Sequence, residues 1–539
     1  MNQESTVSAA WYLSSQSKLE PLLLGWYAWS HLAAPLQGAM NLANRYVPLL
    51  ESFIKNPTIH INAARDPRMF GGPFINLERD SVAAVTQLLA RIADSGEAQL
   101  RLARDVKALD EMLQQRTGGF CMNDLYAGIP ASLRGFVEFV RDTNSHPRLR
   151  FLEELMLAED FAAPAEEVML STLPDGGRDF FMSTPRLPGN DSLTLKTRFA
   201  DEGLDVLAAM RTCPKPLHEV AAALRLTDSG KSVLTRHLTD RAPDRMQPEF
   251  AGDGVRVRYF GHACVLVQTA QASVLLDPML AFERCEGVQN YTFADLPDRI
   301  DVVVITHAHQ DHCSPEMLIQ LRHRVGRVIV PRNNSGNIAD PSLKLILKRL
   351  GFKNIEVVDA FDHVACADIE ITSLPFAGEH VDLDIYTRHT LLITSHGRRF
   401  LFLVDSDPWD LELYRKISRH AGSRVDAVFV GMECHGAPLT WLYGPLLTRP
   451  ISRRDDESRR LSGANCERAW NVISEFSPSQ VFVYAMGQEP WLRYIMGLEY
   501  SPDSIQLKEA GLLVDKCRAG GMQAEVLKYS RELTYSSVL

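Results

Sequence analysis

The run His307-Ala308-His309-Gln310-Asp311-His312 follows directly on Asp301-Val302-Val303-Val304-Ile305-Thr306 and leads into Cys313-Ser314-Pro315-Glu316. The segment before it is β-branched and apolar, the composition of a buried strand. Ser314 is a good N-cap and Pro315 suits a first helical position, so a helix is expected to begin there. The motif therefore occupies the loop between a strand and a helix. Side chains two apart on extended chain point the same way, which aligns His307 with His309. Asp311 and His312 follow where the loop turns back. Four potential ligands thus converge from six residues. Imidazoles together with a carboxylate suit Zn, Fe or Mn.

Outward from the motif, short β-branched runs recur from residue 250 onward. Strands are expected at Val255–Phe260, Cys264–Val267, Val274–Asp277, Asp301–Thr306, Val328–Pro331, Ile355–Val358, Ile369–Ser373, Thr390–Thr394, Arg399–Asp405, Val425–Gly431 and Val481–Tyr484. Helical stretches are expected at Ser314–His323, Pro341–Leu350, Trp409–His420 and Arg459–Phe476. Arg453–Arg460 reads as a solvated loop or helix start. This alternation predicts an α/β sheet sandwich flanked by helices over residues 248–539.

Upstream, residues 1–247 read as a largely helical α+β domain. Helical spacing runs through Trp26–Phe53, Ser81–Ala93 and Leu100–Leu113, with a Pro/Gly break at Ala64–Asn76. Residues 174–191 read as a surface loop. Residues 194–247 read as a small helical subdomain, taken as a packing module. Residues 21–44 carry no Asp, Glu, Lys or Arg, but Pro, Gly, His and Asn interrupt them. They are expected to form two buried helices and not a membrane span.

The chain has 539 residues, 45% of them hydrophobic and 23% charged, which suits a large globular core. Its net charge of −10 argues against a nucleic-acid partner. Nine cysteines without a CxxC pair suit free thiols. Met1-Asn2-Gln3-Glu4 has no basic region, so no signal peptide is expected and the chain reads as cytoplasmic.

The motif, with Tyr259-Phe260-Gly261-His262-Ala263-Cys264 and Leu275-Leu276-Asp277-Pro278 before it, resembles the metallo-β-lactamase superfamily over residues 250–500. That resemblance implies an αβ/βα sandwich and two metal ions. It also implies two further ligands. One lies on a later loop, matching Phe376-Ala377-Gly378-Glu379-His380, where either Glu379 or His380 can serve. The other is a bridging Asp at a strand end, which Asp405 fits better than Asp407. Hydrolases of the superfamily use a last His after a late strand. Here Gln480–Tyr484 is followed by Ala485-Met486-Gly487, with no His; His435 is a candidate substitute.

One branch of the superfamily is similar in further respects: the dinuclear iron β-hydroxylases of nonribosomal peptide assembly. They too carry a large N-terminal domain and Glu in place of His on the later loop. The matching positions are His307, His309, Asp311, His312, Glu379 and Asp405, with Glu379 and Asp405 nearest the chemistry. The resemblance implies two Fe ions, O2 as co-substrate, and hydroxylation of the β-carbon of an amino acid. That amino acid is held as a thioester on a peptidyl carrier domain. It also implies an external electron donor, and an N-terminal domain that serves homodimer formation and carrier docking. The competing reading is a dinuclear zinc hydrolase of lactonase or phosphodiesterase type. Asp277 is expected to support the metal loop by hydrogen bonding. His262 reads as structural or as a neighbour of the metal site, Cys313, His389 and His396 as structural, Trp441 and Tyr443 as packing or as a wall of the substrate pocket, and Glu433 as a possible acid, base or hydrogen-bond partner.

Overall fold

The computed structural model describes residues 10–116 and 120–538; Met1-Asn2-Gln3-Glu4 lies outside them. Two seven-stranded sheets carry the C-terminal half. In spatial order the first runs Ile355–Val358, Val325–Pro331, Ile300–Val304, Ser273–Leu276, Cys264–Gln268, Val255–Gly261, Arg531–Tyr535. The second runs His363–Cys366, Ile369–Leu374, Thr390–Ser395, Arg398–Val404, Ala427–Gly431, Gln480–Tyr484, Gln523–Val526. Every expected strand is present. The three that sequence did not suggest, His363–Cys366, Gln523–Val526 and Arg531–Tyr535, lie at sheet edges, where half-exposed residues dilute the apolar signal.

Each sheet is antiparallel on one side and parallel on the other. The first changes at Ser273–Leu276, the second at Arg398–Val404. In open α/β sheets the carboxyl ends beside such a switch are where ligands bind. The next residues are Asp277 and Asp405.

Alternate residues face different cores, as the strand period requires. Val265 and Val267 join the core between the sheets, with Phe400, Phe402 and Phe429 opposite. Cys264 and Leu266 face a core shared with the N-terminal region. Helices Leu411–Ala421, Cys466–Phe476 and Ile505–Ala519 cover the outer face of the second sheet.

The N-terminal region is largely helical with a small sheet, as expected, and departs from expectation within residues 21–44. Ser17–Leu23 is a strand in a four-stranded sheet with Trp26–Tyr27, Glu166–Thr172 and Leu193–Leu195. Of the two helices expected over 21–44, the first part is therefore strand. Ser17–Leu23 is buried on both faces, so no alternation betrays it, and its main partner Glu166–Thr172 is remote in sequence. Helices Ser30–Ala33, Pro35–Asn41 and Val47–Lys55 follow, the last two joined by a π-helical turn at Leu42–Tyr46. Beyond 194 come helices Glu202–Ala209, Leu217–Ala223 and Asp228–Thr235. Strands Lys215–Pro216 and Leu238–Thr239 pair on either side of Ala10–Leu13. No helix among the described residues is long and apolar enough to cross a membrane.

The expected surface loop at 174–191 is also corrected: Arg178, Phe181, Met182, Thr184 and Arg186 are buried. Its charges are hidden because they are paired. Arg178 Nη1 donates to both oxygens of Glu316, at 2.9 and 2.7 Å. The hydroxyls of Tyr27 and Tyr494 donate to Glu316 Oε2 at 2.8 and 3.0 Å. Arg186 Nε donates to Glu20 at 3.0 Å. Glu316 lies in the first turn of helix Pro315–Leu321, just after the metal motif. The N-terminal region thus grips the helix on which the motif loop depends. Removing one partner of a buried ion pair leaves the other charge uncompensated. Arg178→Met is therefore expected to cost about 3–5 kcal/mol, and Tyr494→Phe about 1 kcal/mol, both read from denaturant unfolding.

Candidate metal centre

The motif strand Ile300–Val304 lies between two parallel neighbours, Ser273–Leu276 and Val325–Pro331. Past its end, His307 bridges to Arg388 and the His389 amide donates to the Thr306 carbonyl at 3.0 Å. The loop then folds back, with the amides of His312 and Cys313 donating to the His309 carbonyl. Ser314 caps helix Pro315–Leu321 and Pro315 begins it, as expected.

The later loop, between Ile369–Leu374 and Thr390–Ser395, brings in Glu379. A bridge between Gly378 and Ser406 pins it beside the end of Arg398–Val404, which delivers Asp405. The six candidate ligands, together with His262, meet in three overlapping groups: His307, His309 and Glu379; His307, His312 and Asp405; His262, Asp311 and His312. Ligand atoms within each group lie within 4.8 Å of one another. Asp405 Oδ2 is 2.9 Å from His312 Nε2 and 3.7 Å from His307 Nε2. Glu379 Oε1 contacts His309 Nδ1 and lies 3.8 Å from His307 Nε2. Asp311 Oδ2 is 3.6 Å from His312 Nε2.

His380 is also buried, but its Nδ1 faces Arg388 at 3.5 Å and it supplies no atom to these groups. Asp407 is engaged with Arg468. His435 is exposed at the mouth of the cavity described below. Cys313 is packed, and His389 is held by Ser373 and the Ile305 carbonyl.

The donor set fits metal ions. His307 Nε2 and His312 Nε2 are buried and make no hydrogen bond. Their opposite nitrogens are held from behind: His307 Nδ1 by Thr306 Oγ1 at 3.1 Å, His312 Nδ1 by Asp277 Oδ2 at 2.8 Å. Asp277 also accepts from the Thr306 amide and hydroxyl, the support expected of it. Such outer partners fix the tautomer and aim the free nitrogen inward. Burial, with the neighbouring His312 and His309, holds His307 well below the usual imidazole range, so it is a neutral donor. Burial opposes charge on His312 as well, but Asp311, Asp405 and Asp277 outweigh it and hold that imidazole high. Burial raises Glu379, and raises Glu433 well above the carboxylate range, where Glu379, Asp311 and Asp405 add to it. Acids crowded this closely call for cations.

Backbone strain gathers at the same place. His262, Asp277, Val404 and Ala485 have φ of +51°, +38°, +53° and +54°, each at or just past a strand end. Left-handed backbone in a β-branched residue such as Val404 is a genuine outlier, and such strain clusters at functional sites. Gly431 is required for another reason: a Cβ there would stand 2.5 Å from Asp405 Oδ1.

A cavity of about 610 Å³ opens over Asp311, Glu379 and Asp405. Residues 68–74 of the N-terminal region form one wall, and Ala485 and Glu433 line it as well. Sequence reasoning undervalued three residues here. His262 Nε2 lies 2.9 Å from Asp311 Oδ2. Tyr443 places its hydroxyl 3.0 Å from His309 Nε2, so it is more than packing. Trp441 lines the cavity. The Gly261-His262 pair at a strand end was the one local signal for His262.

Glu379→Ala is expected to lose roughly half of the bound metal, whereas His380→Ala retains it; metal analysis of the purified variants decides. Tyr443→Phe is expected to keep the metal content and alter the ligand-field spectrum through His309.

Residues 12–243 match the diiron non-heme β-hydroxylase N-terminal domain family, and residues 256–411 match the β-lactamase superfamily domain. The chain is 35% identical over 524 residues to 4-amino-L-phenylalanyl-[CmlP-peptidyl-carrier-protein] 3-hydroxylase of Streptomyces venezuelae, covering 96% of this chain and 98% of that one. The crystal structure of CmlA, a diiron β-hydroxylase from Streptomyces venezuelae, superposes with a TM-score of 0.89 at 34% identity, covering 98% of this chain and 100% of that one. A variant of CmlA β-hydroxylase gives the same TM-score, 0.89, at 33% identity, over 97% of this chain and all of that one. The chain belongs to the diiron non-heme β-hydroxylases, with a metallo-β-lactamase fold in its C-terminal half.

Proposed function

We propose that this non-haem diiron oxygenase hydroxylates the β-carbon of an amino acid presented as a thioester on the phosphopantetheine arm of a peptidyl carrier domain. The observation that carries this reading is likeness along the whole chain to an enzyme named for that reaction. The cavity over the metal cluster supports it, because three carboxylates of the cluster face the space a substrate would fill.

His307, His309 and Glu379 would hold one iron and Asp311, His312 and Asp405 the other. Bound there, the two irons would supply O2 reduction and oxidation of a C–H bond. The protein does the rest. Thr306 and Asp277 keep the imidazoles of His307 and His312 aimed at the cluster, and Tyr443 does the same for His309. Residues 68–74 and Trp441 wall the cavity and restrict water. Glu433 lines the cavity beside the cluster, where its carboxyl can exchange a proton. Tethering raises the effective concentration of the substrate, so docking contributes selectivity. On this reading residues 1–247 dock the carrier and form the homodimer contact, and an external donor supplies the two electrons that insertion of one oxygen atom requires.

The test is incubation of iron-loaded enzyme with aminoacylated carrier, reductant and 18O2. The expected result is one labelled oxygen atom on the tethered amino acid, matched by O2 uptake. Release of free amino acid by thioester hydrolysis without O2 uptake refutes the proposal in favour of a hydrolase.

A further inference from the structure

A second cavity, of about 680 Å³, lies beside the one over the metal cluster. The two share residues 71–74, Pro438 and Trp441 as a common wall. That wall is braced: the Trp441 indole donates to the Gly71 carbonyl at 3.0 Å, and a Cβ on Gly71 would stand 2.1 Å from the Gly497 carbonyl oxygen.

Arg45 lines this second cavity. It sits in the π-helical turn Leu42–Tyr46, where the wider turn re-aims a side chain relative to its flanking helices; such turns are frequent at functional sites. One guanidinium nitrogen donates to the Trp441 carbonyl at 2.5 Å, and another lies 3.1 Å from Met182 Sδ. Among the described residues no carboxylate comes within ion-pair distance, and Tyr46 is the one group that favours its charge. Arg45 is half-buried in the cavity wall, and its charge there is left without an anion. Arg211 and Arg258 also lack an acid, but they are packed in core and line neither cavity.

The place of Arg45 narrows the choice of anion. It lines the second cavity and not the one over the cluster, and the rings of Trp29, His31 and Tyr443 lie in series between it and His309, by contacts of 6.0, 5.0, 5.7 and 6.2 Å. The reacting end of the substrate belongs in the first cavity, so an anion that meets Arg45 is carried on the arm behind it. The walls match the arm's chemistry. Leu49, Phe180 and Met182 offer apolar surface for its gem-dimethyl group, Asn44 and Ser52 place polar groups along it, and Arg45 offers positive charge.

We infer that this second cavity is the subsite for the phosphopantetheine arm, with Arg45 the counter-ion of its phosphate. The inference rests on the carrier-tethered reading above. The arm crosses the lip made by residues 71–74 and Trp441, and the amino acid occupies the first cavity.

Phosphopantetheine and pantetheine, without carrier or amino acid, test this by calorimetry on the iron-loaded enzyme. The phosphate-bearing compound is expected to bind at least about tenfold more tightly. Arg45→Gln is expected to abolish that difference with iron content unchanged, and Arg45→Lys to keep part of it. Ile59, 60% exposed at the rim, provides a substitution unlike Arg45→Gln in not disturbing the core. Ile59→Glu is expected to weaken phosphopantetheine and leave pantetheine alone. Equal affinities in the unmodified enzyme, or a preference unchanged in both Arg45→Gln and Ile59→Glu, overturn the assignment. If the enzyme hydroxylates carrier-bound substrate yet shows no phosphate preference, the subsite falls and the function stands. If it does not process that substrate, both fall.

Discussion

Like charge gathered in a buried space is the constraint on which this structure turns. Asp311, Glu379 and Asp405 are each less than one-tenth exposed, and Glu433 adds a fourth acid. In low dielectric such a group is tolerable only with protons or cations among the carboxylates. Free nitrogens on His307 and His312 add donors that nothing in the protein satisfies. The site is therefore stable as a metal centre and expensive as anything else, and the scaffold has to hold it against its own repulsion.

The two sheets do this by equivalent means. Each switches from antiparallel to parallel at one strand, and each switch strand is followed by an aspartate. Asp277 ends one and steadies His312 from behind; Asp405 ends the other and faces the cluster. The left-handed backbone at Asp277 and before Asp405 is the local cost of turning these carboxylates inward. The N-terminal region supplies the remaining rigidity. Its Arg178 and Tyr27 converge, with Tyr494, on Glu316, one turn beyond the motif, and its residues 68–74 wall the cavity. The metal loop is thus held by both halves of the chain.

What was legible in the sequence follows from range. His307 through His312 could be read because strand, ligand loop, N-cap and helix are consecutive. Asp405 could be read because a strand announced its own end. Choosing Glu379 over His380 took the family resemblance, since adjacent residues on a loop carry no periodicity; the side chains diverge because Gly378 is pinned to Ser406 while Arg388 engages His380. Tyr443 reaches the site through a contact remote in sequence and had no pattern of its own, while His262 had only the Gly261-His262 pair at its strand end. Residues 174–191 look polar and broken, yet they are buried because Glu20 and Glu316 meet their arginines. Composition cannot report a partner more than a hundred positions away.

The fold by itself would not have separated an oxygenase from a hydrolase, because function lives in the site. Two positions carry the distinction. By the resemblance to the superfamily, Glu379 stands where its hydrolases would bring an imidazole, and carboxylate oxygens favour oxidised iron over zinc. By the same resemblance their last histidine would follow strand Gln480–Tyr484, where this chain has Ala485, which lines the cavity. On the resemblance, the first change would alter which metal is preferred, and the second would leave room on the side where Glu433 and the cavity lie. Neither change disturbs the strands beneath, so one scaffold supports both chemistries, and the choice between them rests on side chains at the ends of its strands.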